Sequence, residues 1–418
     1  MTSKITKIES RQILDSRGLP TIETTVYTSK NKGTASVPSG KSTGAHEAKE
    51  LRDHERAYHG YSVQNAINNV HNILAPKLKG LDVRKQKDLD EKMIILDGTD
   101  QKERLGANAI LSISLANARC IAQLQKKELY ESLGTGKTLP IPFANIINGG
   151  KHAENNLQIQ EFMIAPVKAK TFSEATQIIA EVYHSLKEII EKRYGKQAIH
   201  IGDEGGFAPP LINPRSALDL LTKAIEENGY QEKTKLALDC AASEFFDRRT
   251  QTYEIEPKKQ MTREELTEYY IELIKKYPII SLEDPFDQDD FFAYLSFMEA
   301  VKGLQIVGDD LLCMNKKRIE EAGNKEFCNA LLVKPNQVGT LTETKEAIQL
   351  AKRFKWNTMV SHRSGETEDT FIADLAVALE TQQIKIGAPC RSERTAKYNR
   401  LLEIEEQLGK KGKIGKIE

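Results

Sequence analysis

The sequence predicts an α/β protein in which a (β/α)8-type barrel with an irregular start is joined to an N-terminal α+β capping domain. Three observations lead to this prediction. Six short apolar runs each end on a polar or charged residue, mostly about 25 residues apart, which is the rhythm of repeated strand–helix units. The 418 residues exceed the length of one such barrel, so a further domain is expected. A Gly- and Pro-rich stretch at residues 133–140 separates the two regions.

The first region is expected to combine a small sheet with helices. Residues 1–36 are rich in β-branched side chains and contain two turn signals, which indicates a three-stranded meander. Helical patterns follow at residues 63–78 and 107–127. We therefore expect the capping domain at residues 1–132 and the barrel at residues 139–418. The basic tail from residue 410 onward is expected to be solvated.

Composition excludes several classes of partner. Lys+Arg and Asp+Glu number 60 each, so no basic excess indicates a nucleic-acid partner. No apolar run reaches the roughly 18 residues that would span a bilayer, and no apolar signal region follows Met1. The five cysteines form no CxxC pair, which is typical of a reducing compartment. We expect a cytoplasmic protein that binds neither nucleic acid nor membrane.

The residues that end the six apolar runs are suited to chemistry. In order they are Asp239, Glu283, Asp309, Lys334, His362 and Lys385. In a barrel, reactive groups lie at the carboxyl ends of the strands, so we expect these side chains to meet. A single carboxylate in this place would more often be a helix N-cap, but three close together repel unless a cation lies among them. An all-oxygen ligand set suits Mg²⁺.

The lysines at the same edge are candidate bases. A lysine beside a divalent cation and a second ammonium is favoured in its neutral form, which can accept a proton. Two further carboxylates, Glu161 and Glu204, would share a proton if they converge on the site, and one would then act as an acid. Arg363 and Ser364 could hold a phosphate, and His152 on a Gly-Gly loop could close over a substrate.

Two segments contain the GK[ST] letters of a phosphate-binding loop. They lie at residues 39–43 and 134–138, and both lack the required upstream glycine, which argues against a nucleoside triphosphatase. The segment at residues 39–44 nevertheless reads as a mobile polar loop, because its glycines allow close approach to a ligand. Its Ser39 hydroxyl could bind a metal ion.

Taken together, these motifs resemble those of the enolase family. The matching segments cover essentially the whole chain in order: residues 11–18, 39–44, 106–110, 145–150, 160–166, 202–206, 239–245, 282–285, 307–310, 334–339 and 360–375. The resemblance implies an enolase-like barrel and a hydro-lyase. The implied reaction is the Mg²⁺-dependent, reversible dehydration of 2-phospho-D-glycerate to phosphoenolpyruvate and water, in glycolysis and gluconeogenesis.

The resemblance also implies a role for each site residue. Lys334 would be the base that removes the C2 proton, and Glu204 the acid that assists the departing C3 hydroxyl, with Glu161 and His152 completing the catalytic group. Asp239, Glu283 and Asp309 would bind the first Mg²⁺, and Ser39 the second, which arrives with substrate. Arg363 and Ser364 would hold the phosphate, and Lys385 would face the carboxylate. The expected substrate contacts are His152, Gln160, Glu161, Glu283, Asp309, Lys334, Ser361, His362, Arg363, Ser364 and Lys385.

The chemistry makes the same demands. A proton next to an ionised carboxylate is barely acidic, so nearby cations must absorb the charge that its removal creates. The sequence departs from the family pattern at Leu19, Lys41, Pro335, Ile386 and Glu403. Lys41 adds a charge to the mobile loop, and we expect Lys41→Ala to change substrate affinity more than proton abstraction.

Two alternatives were weighed against this interpretation. A racemase or cycloisomerase of the same superfamily would usually carry a Lys-x-Lys pair beside a barrel strand, and no such pair is found. A non-catalytic binding or scaffold protein would not need Lys334, Glu204 and all three metal carboxylates. The resemblance further implies a homodimer or a higher homo-oligomer.

Overall fold

A computed structural model describes residues 3–41 and 43–417. Ser42, within the expected mobile loop, lies outside the described residues, as do Met1, Thr2 and Glu418. The strands are β1 Lys7–Leu14, β2 Pro20–Tyr27, β3 Lys32–Ser36, β4 Thr138–Leu139, β5 Ile141–Asn148, β6 Glu161–Ala165, β7 Lys235–Asp239, β8 Phe246–Asp247, β9 Thr252–Glu256, β10 Lys259–Met261, β11 Ile279–Glu283, β12 Gln305–Gly308, β13 Ala330–Val333, β14 Asn357–Ser361, β15 Gln382–Lys385 and β16 Lys413–Ile414.

Helices alternate with most of these strands. They are α1 Gln64–Asn69, α2 Ala75–Leu78, α3 Gln86–Asp97, α4 Ala107–Gln125, α5 Leu129–Leu133, α6 Phe172–Tyr194, α7 Pro214–Glu227, α8 Arg263–Lys276, α9 Phe291–Ala300, α10 Lys316–Lys325, α11 Pro335–Val338, α12 Leu341–Arg353, α13 Phe371–Ala378 and α14 Ser392–Leu408. One π-helical turn, Val70–Leu74, joins α1 to α2, so the expected helix at residues 63–78 is present as a continuous helical segment.

The N-terminal region is a meander covered by a long helix. Strands β1, β2 and β3 pair in sequence order and antiparallel, as the turn signals predict. Helix α4 packs against β2 and β3. The approach is close: a Cβ on Gly33 would lie 2.2 Å from the carbonyl oxygen of Ala116. Only a residue without a side chain allows the helix to sit this near the sheet.

Eight strands close into a barrel in the order β11-β12-β13-β14-β15-β5-β6-β7. All neighbouring pairs are parallel except those made by β6, which is antiparallel to both β5 and β7. This is the irregular start that the resemblance implies, and the predicted fold class is confirmed. The carboxyl ends of the parallel strands and the amino end of β6 share one edge of the barrel, and the functional residues gather there.

The opposite end of the barrel is filled by apolar side chains. Those that line the interior are Ile141, Phe143, Met163, Ala165, Ala237, Val307, Ala330, Leu332 and Met359. The expectation of a solvated C-terminal tail is wrong. Strand β16 pairs in parallel with β4, and Ile414 and Ile417 pack against this interior group. The prediction rested on the lysines of the tail and overlooked its two isoleucines. The free energy gained by burying these side chains opposes the conformational entropy lost when the tail becomes ordered.

Along the part of the chain that the structure describes, we find no helix that is both long enough and apolar enough to pass through a lipid bilayer.

Candidate active site

Three carboxylates stand side by side at one edge of the barrel. Glu161 begins β6, Asp239 ends β7 and Glu283 ends β11, and the strand register pairs Asp239 with both of the others. Because β6 runs antiparallel, its first residue reaches the edge that its neighbours reach with their last. All three side chains are buried. The structure therefore assembles a row of charges that cannot remain uncompensated.

Lys385 provides the first compensating charge. It ends β15, which lies across the barrel from β11. Its Nζ lies 2.9 Å from Asp239 Oδ2, 3.0 Å from Glu283 Oε1 and 3.2 Å from Glu161 Oε1. Burial alone would lower the pKa of Lys385, but these carboxylates raise it well above its ordinary value. The ammonium is therefore held firmly in the charged form.

Lys334 and Asp309 form the next pair around the edge. They follow β13 and β12, and Lys334 Nζ lies 2.5 Å from Asp309 Oδ2. Burial is the largest single influence on Lys334 and lowers its pKa, but the charges of Asp309 and Glu283 together bring the pKa above its ordinary value. The neutral lysine expected from the sequence is thus not the form this constellation favours on its own. Asp309 would have to bind another cation in place of the ammonium, which would lower the pKa of Lys334, before the lysine could act as a base.

Glu161 and Glu204 converge as expected. Atoms of His152, Glu161 and Glu204 lie within 4.8 Å of one another, and Asn145 Nδ2 donates to Glu204 Oε2 at 2.9 Å. Burial followed by the charge of Glu204 raises the pKa of Glu161 well above its ordinary value. Burial would also raise the pKa of Glu204, but the neighbouring His152 and His362 help to hold it well below. The environment therefore pushes the pKa values of the two carboxyl groups apart, upward for Glu161 and downward for Glu204.

Burial favours the uncharged form of both histidines in this group. Burial is the main cause that lowers the pKa of His152, and it lowers the pKa of His362 still further. His152 Nδ1 lies 3.3 Å from Glu204 Oε1, and His362 Nε2 lies 3.5 Å from the same oxygen. Neither ring nitrogen has a hydrogen-bond partner among the described residues, so both face the acid without yet bonding to it. Above His152 a cavity of about 860 Å³ opens between the surrounding loops.

The carboxylate row has the chemistry of a divalent-cation site. Burial and then the charge of Asp239 raise the pKa of Glu283 well above its ordinary value, which shows that the row lacks positive charge. Gln160 adds an oxygen, Oε1, that is buried without a partner among the described residues, while its Nε2 donates to Asp239 Oδ2 at 3.3 Å. An all-oxygen, charge-deficient set of this kind fits Mg²⁺ better than zinc.

The expected metal trio is not drawn tightly together. Among the described residues, two sets of side chains have ligand atoms close enough to share an ion. One set is His152, Glu161 and Glu204, and the other is Asp284, Asp309 and Asp310. Lys385 contacts Asp239 and Glu283, whereas Lys334 contacts Asp309. Asp284 is occupied in another way, because its two oxygens accept the backbone N–H groups of Asp309 and Asp310 at 3.0 and 2.6 Å.

The expected phosphate holders lie on the segment after β14. Arg363 and Ser364 are buried there, and Ser361 at the end of β14 donates from Oγ to the carbonyl of His362 at 2.9 Å. Arg363 forms a bidentate ion pair with Glu47, which the sequence did not single out. Gly40 of the expected mobile loop lies directly over the guanidinium: a Cβ there would be 2.2 Å from Nη2.

Ser39 is placed differently from the other expected ligands. Its Oγ accepts from Arg17 Nη2 at 3.0 Å and from Arg52 Nη2 at 2.7 Å. Its backbone exchanges two hydrogen bonds with Gly365, at 2.7 and 3.0 Å. Ser39 therefore fixes the loop to the phosphate segment, and its hydroxyl points to guanidinium groups in this conformation. A metal ion would have to compete with both arginines for that oxygen.

Four site residues were not found from the sequence: Asn145, Glu47, Gln337 and Arg394. Each contacts an expected site residue through a chain separation of 28 to 316 residues. Asn145 and Gln337 did lie in segments that carry the family resemblance, and this was the one available signal. Glu47 and Arg394 resemble ordinary surface charges of helices or loops, and nothing in their spacing indicates burial.

Comparison with known proteins covers the whole length of the chain. The family model described as "Enolase, N-terminal domain" matches residues 5–133, and "Enolase, C-terminal TIM barrel domain" matches residues 136–417. The chain belongs to the enolase family. Enolase B of Dictyostelium discoideum is 51% identical over 422 residues, covering 97% of this chain and 95% of the relative. The enolase of Methanocaldococcus jannaschii is 52% identical over 409 residues, covering 97% and 96%.

A third relative supports the same assignment. The enolase of Thermococcus gammatolerans is 50% identical over 410 residues, covering 97% of this chain and 95% of the relative. Membership of the enolase family confirms three predictions: the family itself, the barrel fold class, and the hydro-lyase activity that converts 2-phosphoglycerate to phosphoenolpyruvate.

Proposed function

We propose that this chain carries out the enolase reaction with Lys334 as the base and the Glu161–Glu204 pair as the acid. One observation supports this assignment above all others. Lys334 follows β13, and the acid pair lies beside β6, which is four strands away in either direction around the barrel. A substrate between them would meet a base on one face and an acid on the other, as removal of a proton and of a hydroxyl from adjacent carbons requires.

Carboxylates at this edge of the barrel would bind the metal. We assign Asp239, Glu283 and Asp309 as ligands of Mg²⁺, with Ser39 as a proposed contributor to a second ion. Bound there, Mg²⁺ would stabilise the negative charge that collects on the substrate carboxylate. Lys385, fixed in its charged form by the same row, would orient that carboxylate through its ammonium group. A ligand that takes Asp309 away from Lys334 would also free the lysine to accept a proton.

The remaining residues would position the substrate. Arg363 and Ser364 are proposed to bind the phosphate, with Ser361 and His362 shaping the same segment. Gln160 can donate or accept beside the metal row. His152, on a turn that opens to the large cavity, would close behind the substrate. Because their pKa values are pushed apart, one member of the pair can carry a proton while the other is ionised, so we assign proton delivery to the pair, with Glu204 close to both histidines.

The test separates base from acid. Lys334→Ala should abolish both the exchange of the C2 proton with solvent and the formation of phosphoenolpyruvate, which is followed by its ultraviolet absorbance. Glu204→Gln should slow dehydration while exchange continues, and equal loss of both would contradict the assignment. Lys345→Ala is a matched control, because this half-buried lysine binds the carbonyl of Leu133 at 2.9 Å, away from the barrel edge. Residual turnover in excess chelator would rule out the metal.

The expectations for cellular location, oligomeric state and domain boundaries remain proposals. We propose that the protein acts in the cytoplasm, that it forms a homodimer or a higher homo-oligomer, and that the domains divide as residues 1–132 and 139–418. Light scattering on the purified protein tests the second of these, and expression of residues 139–418 alone tests whether the barrel folds independently.

A further inference from the structure

Arg394 is the most deeply buried cation near the acid pair. It lies in the first turn of α14, with 0% of its surface exposed. Its Nη1 lies 2.5 Å from His362 Nδ1 and donates to the carbonyl of Arg363 at 2.6 Å. Its Nη2 donates to the carbonyls of Ser364 at 2.7 Å and Asp203 at 3.2 Å. One guanidinium thus joins the phosphate segment to the loop that carries the acid.

The contact with His362 fixes the state of that ring. A guanidinium has only N–H donors and stays protonated in proteins, so the Nδ1 atom that faces it must be an acceptor. A neutral imidazole whose Nδ1 accepts carries its hydrogen on Nε2. A doubly protonated ring would bring two donors within 2.5 Å, which is excluded at that separation. Arg394 therefore selects one of the three states that a histidine can adopt.

The selected hydrogen faces the acid. His362 Nε2 has no hydrogen-bond partner among the described residues, and Glu204 Oε1 lies 3.5 Å from it, so a small approach of the two groups would complete a hydrogen bond. Burial keeps the pKa of this ring well below its ordinary value, so the neutral form persists at neutral pH. Gly387, at φ +78°, makes this packing possible, since a Cβ there would lie 3.0 Å from Arg394 Cδ and 3.2 Å from the imidazole.

We propose that Arg394 is a positioning residue that holds His362 as the Nε2–H tautomer, so that the ring donates to Glu204 and orients its carboxyl for proton delivery to the leaving hydroxyl. The proposal rests on the assignment of Glu204 as part of the acid. No proton leaves Arg394, and the residue does not touch the reacting atoms. Its effect should therefore appear in dehydration and spare the removal of the C2 proton by Lys334 on the opposite side of the barrel.

The tautomer can be observed directly in the unaltered protein. Nitrogen NMR of protein labelled at its 8 histidines, with His362 assigned by a His362→Gln variant, reports whether each ring nitrogen carries hydrogen. We expect a pyridine-type Nδ1 and a protonated Nε2 throughout the neutral range. A protonated Nδ1 in the unaltered protein, in either a neutral or a charged ring, overturns the proposal. This measurement needs neither substrate nor a folded variant.

Kinetics of Arg394→Lys supply the second test. The lysine keeps a charge but cannot reach all four acceptors, so we expect His362 to lose its single tautomer and kcat for dehydration to fall about tenfold. KM should change less than twofold, and C2-proton exchange should continue. Arg400→Lys is the control, because Arg400 lies on the same helix and binds Asp374 and Glu128 instead.

The outcomes separate this proposal from the assigned function. If Arg394→Lys keeps both the tautomer and kcat, or loses exchange together with dehydration, Arg394 is not a positioning residue for the acid. If the unaltered protein does not convert 2-phosphoglycerate at all, the assigned function fails, while the NMR result still decides the tautomer. Should Arg394→Lys not fold, as thermal unfolding would show, the spectrum of the unaltered protein alone decides.

Discussion

Glu47 and Arg363 form a buried, two-pronged ion pair beneath the Ser39 loop. Glu47 Oε2 lies 2.9 Å from Arg363 Nη1, and Oε1 lies 3.2 Å from Nη2. Gln337 extends the contact, since its Nε2 donates to Glu47 Oε1 at 3.2 Å and to Asp309 Oδ1 at 2.8 Å. A residue of the capping region thereby holds both a proposed phosphate ligand and, through Gln337, a proposed metal ligand.

Glu47→Gln tests how far this pair stabilises the fold in the absence of substrate. The amide keeps the shape but removes the charge, and breaking a buried ion pair by removing one partner costs about 3–5 kcal/mol. We expect a loss of this order in the free energy of unfolding measured in urea. Phosphate should recover part of it, since an anion can replace the missing carboxylate, so added inorganic phosphate should raise the Tm of the variant more than that of the unaltered protein.

The control for Glu47→Gln is an ion pair of the same type at the surface. Arg215 and Glu272 lie 2.7 Å apart with both side chains substantially exposed, and Glu272→Gln should cost well under about 1 kcal/mol. Equal stability of the two variants would contradict a structural role for the buried pair. An identical phosphate response in Glu47→Gln and the unaltered protein would contradict the idea that Glu47 occupies the anion site.

Lys41 and Asp203 join two loops across the entrance of the site. Their Nζ and Oδ2 atoms lie 3.0 Å apart, with the side chains 42% and 26% exposed. A pair this accessible contributes at most about 1 kcal/mol, so Lys41→Ala should raise KM only two- to fivefold through easier opening of the Ser39 loop. Steady-state kinetics should show kcat and C2-proton exchange unchanged, because Lys334 and the acid pair stay in place.

Ionic strength distinguishes this pair from a general effect of charge on substrate capture. Salt should raise KM of the unaltered protein towards that of Lys41→Ala, whose own dependence should be weaker. The double variant Lys41→Asp with Asp203→Lys restores the attraction with reversed signs and should recover KM at low salt. If Lys41→Ala has the KM of the unaltered protein at low salt, the two loops are not held together by this contact.

Much of the barrel could be predicted because parallel strands place their last residues at one edge. The apolar runs that end on Asp239, Glu283 and Lys385 needed no knowledge of tertiary contacts to be placed together. The position of Glu161 could not be predicted in this way, because Glu161 begins an antiparallel strand and reaches the edge from the other direction. The rule of strand ends would have assigned it to the opposite side of the molecule, and the family resemblance corrected this.

The supporting contacts could not be predicted for a different reason. Glu47 contacts Arg363 across 316 positions of the chain, and Arg394 contacts His362 from a helix that is rich in charged residues. The local pattern of apolar and polar residues predicts which side chains form the core. It does not predict which charged residue will be buried against another. The neutral form of Lys334 was expected beside a divalent cation and stays a prediction; among the protein's own groups, the charges of Asp309 and Glu283 together raise its pKa against the effect of burial.

The C-terminal strand should contribute to stability without contributing to catalysis. Ile414 and Ile417 close the end of the barrel opposite the site, and burying an isoleucine is worth about 1.5–3 kcal/mol when complete. Because both side chains remain partly exposed, we expect removal of residues 413–418 to cost about 2–3 kcal/mol in urea unfolding. The kinetic constants should stay unchanged. Replacing Lys410 and Lys411 by alanine is the control, and an unaltered urea midpoint after truncation would show that β16 does not seal the barrel.

Asn145 should set the proton affinity of the acid pair. Its Nδ2 donates to Glu204 Oε2 at 2.9 Å, and both side chains are buried. A donor to a carboxylate favours the charged form, so its removal in Asn145→Leu raises the pKa of Glu204. The limb of the rate–pH profile that reports Glu204 should therefore move to higher pH, while C2-proton exchange continues.

The neighbouring Asn148 makes this prediction sharp. It lies on the same strand and is equally buried, but neither polar atom of its amide has a partner among the described residues. Asn148→Leu therefore removes an amide of the same size without removing a hydrogen bond to Glu204, and the pH limb should stay in place. If both variants shift the limb equally, the polarity of the strand end, and not the hydrogen bond from Asn145, determines the protonation of Glu204.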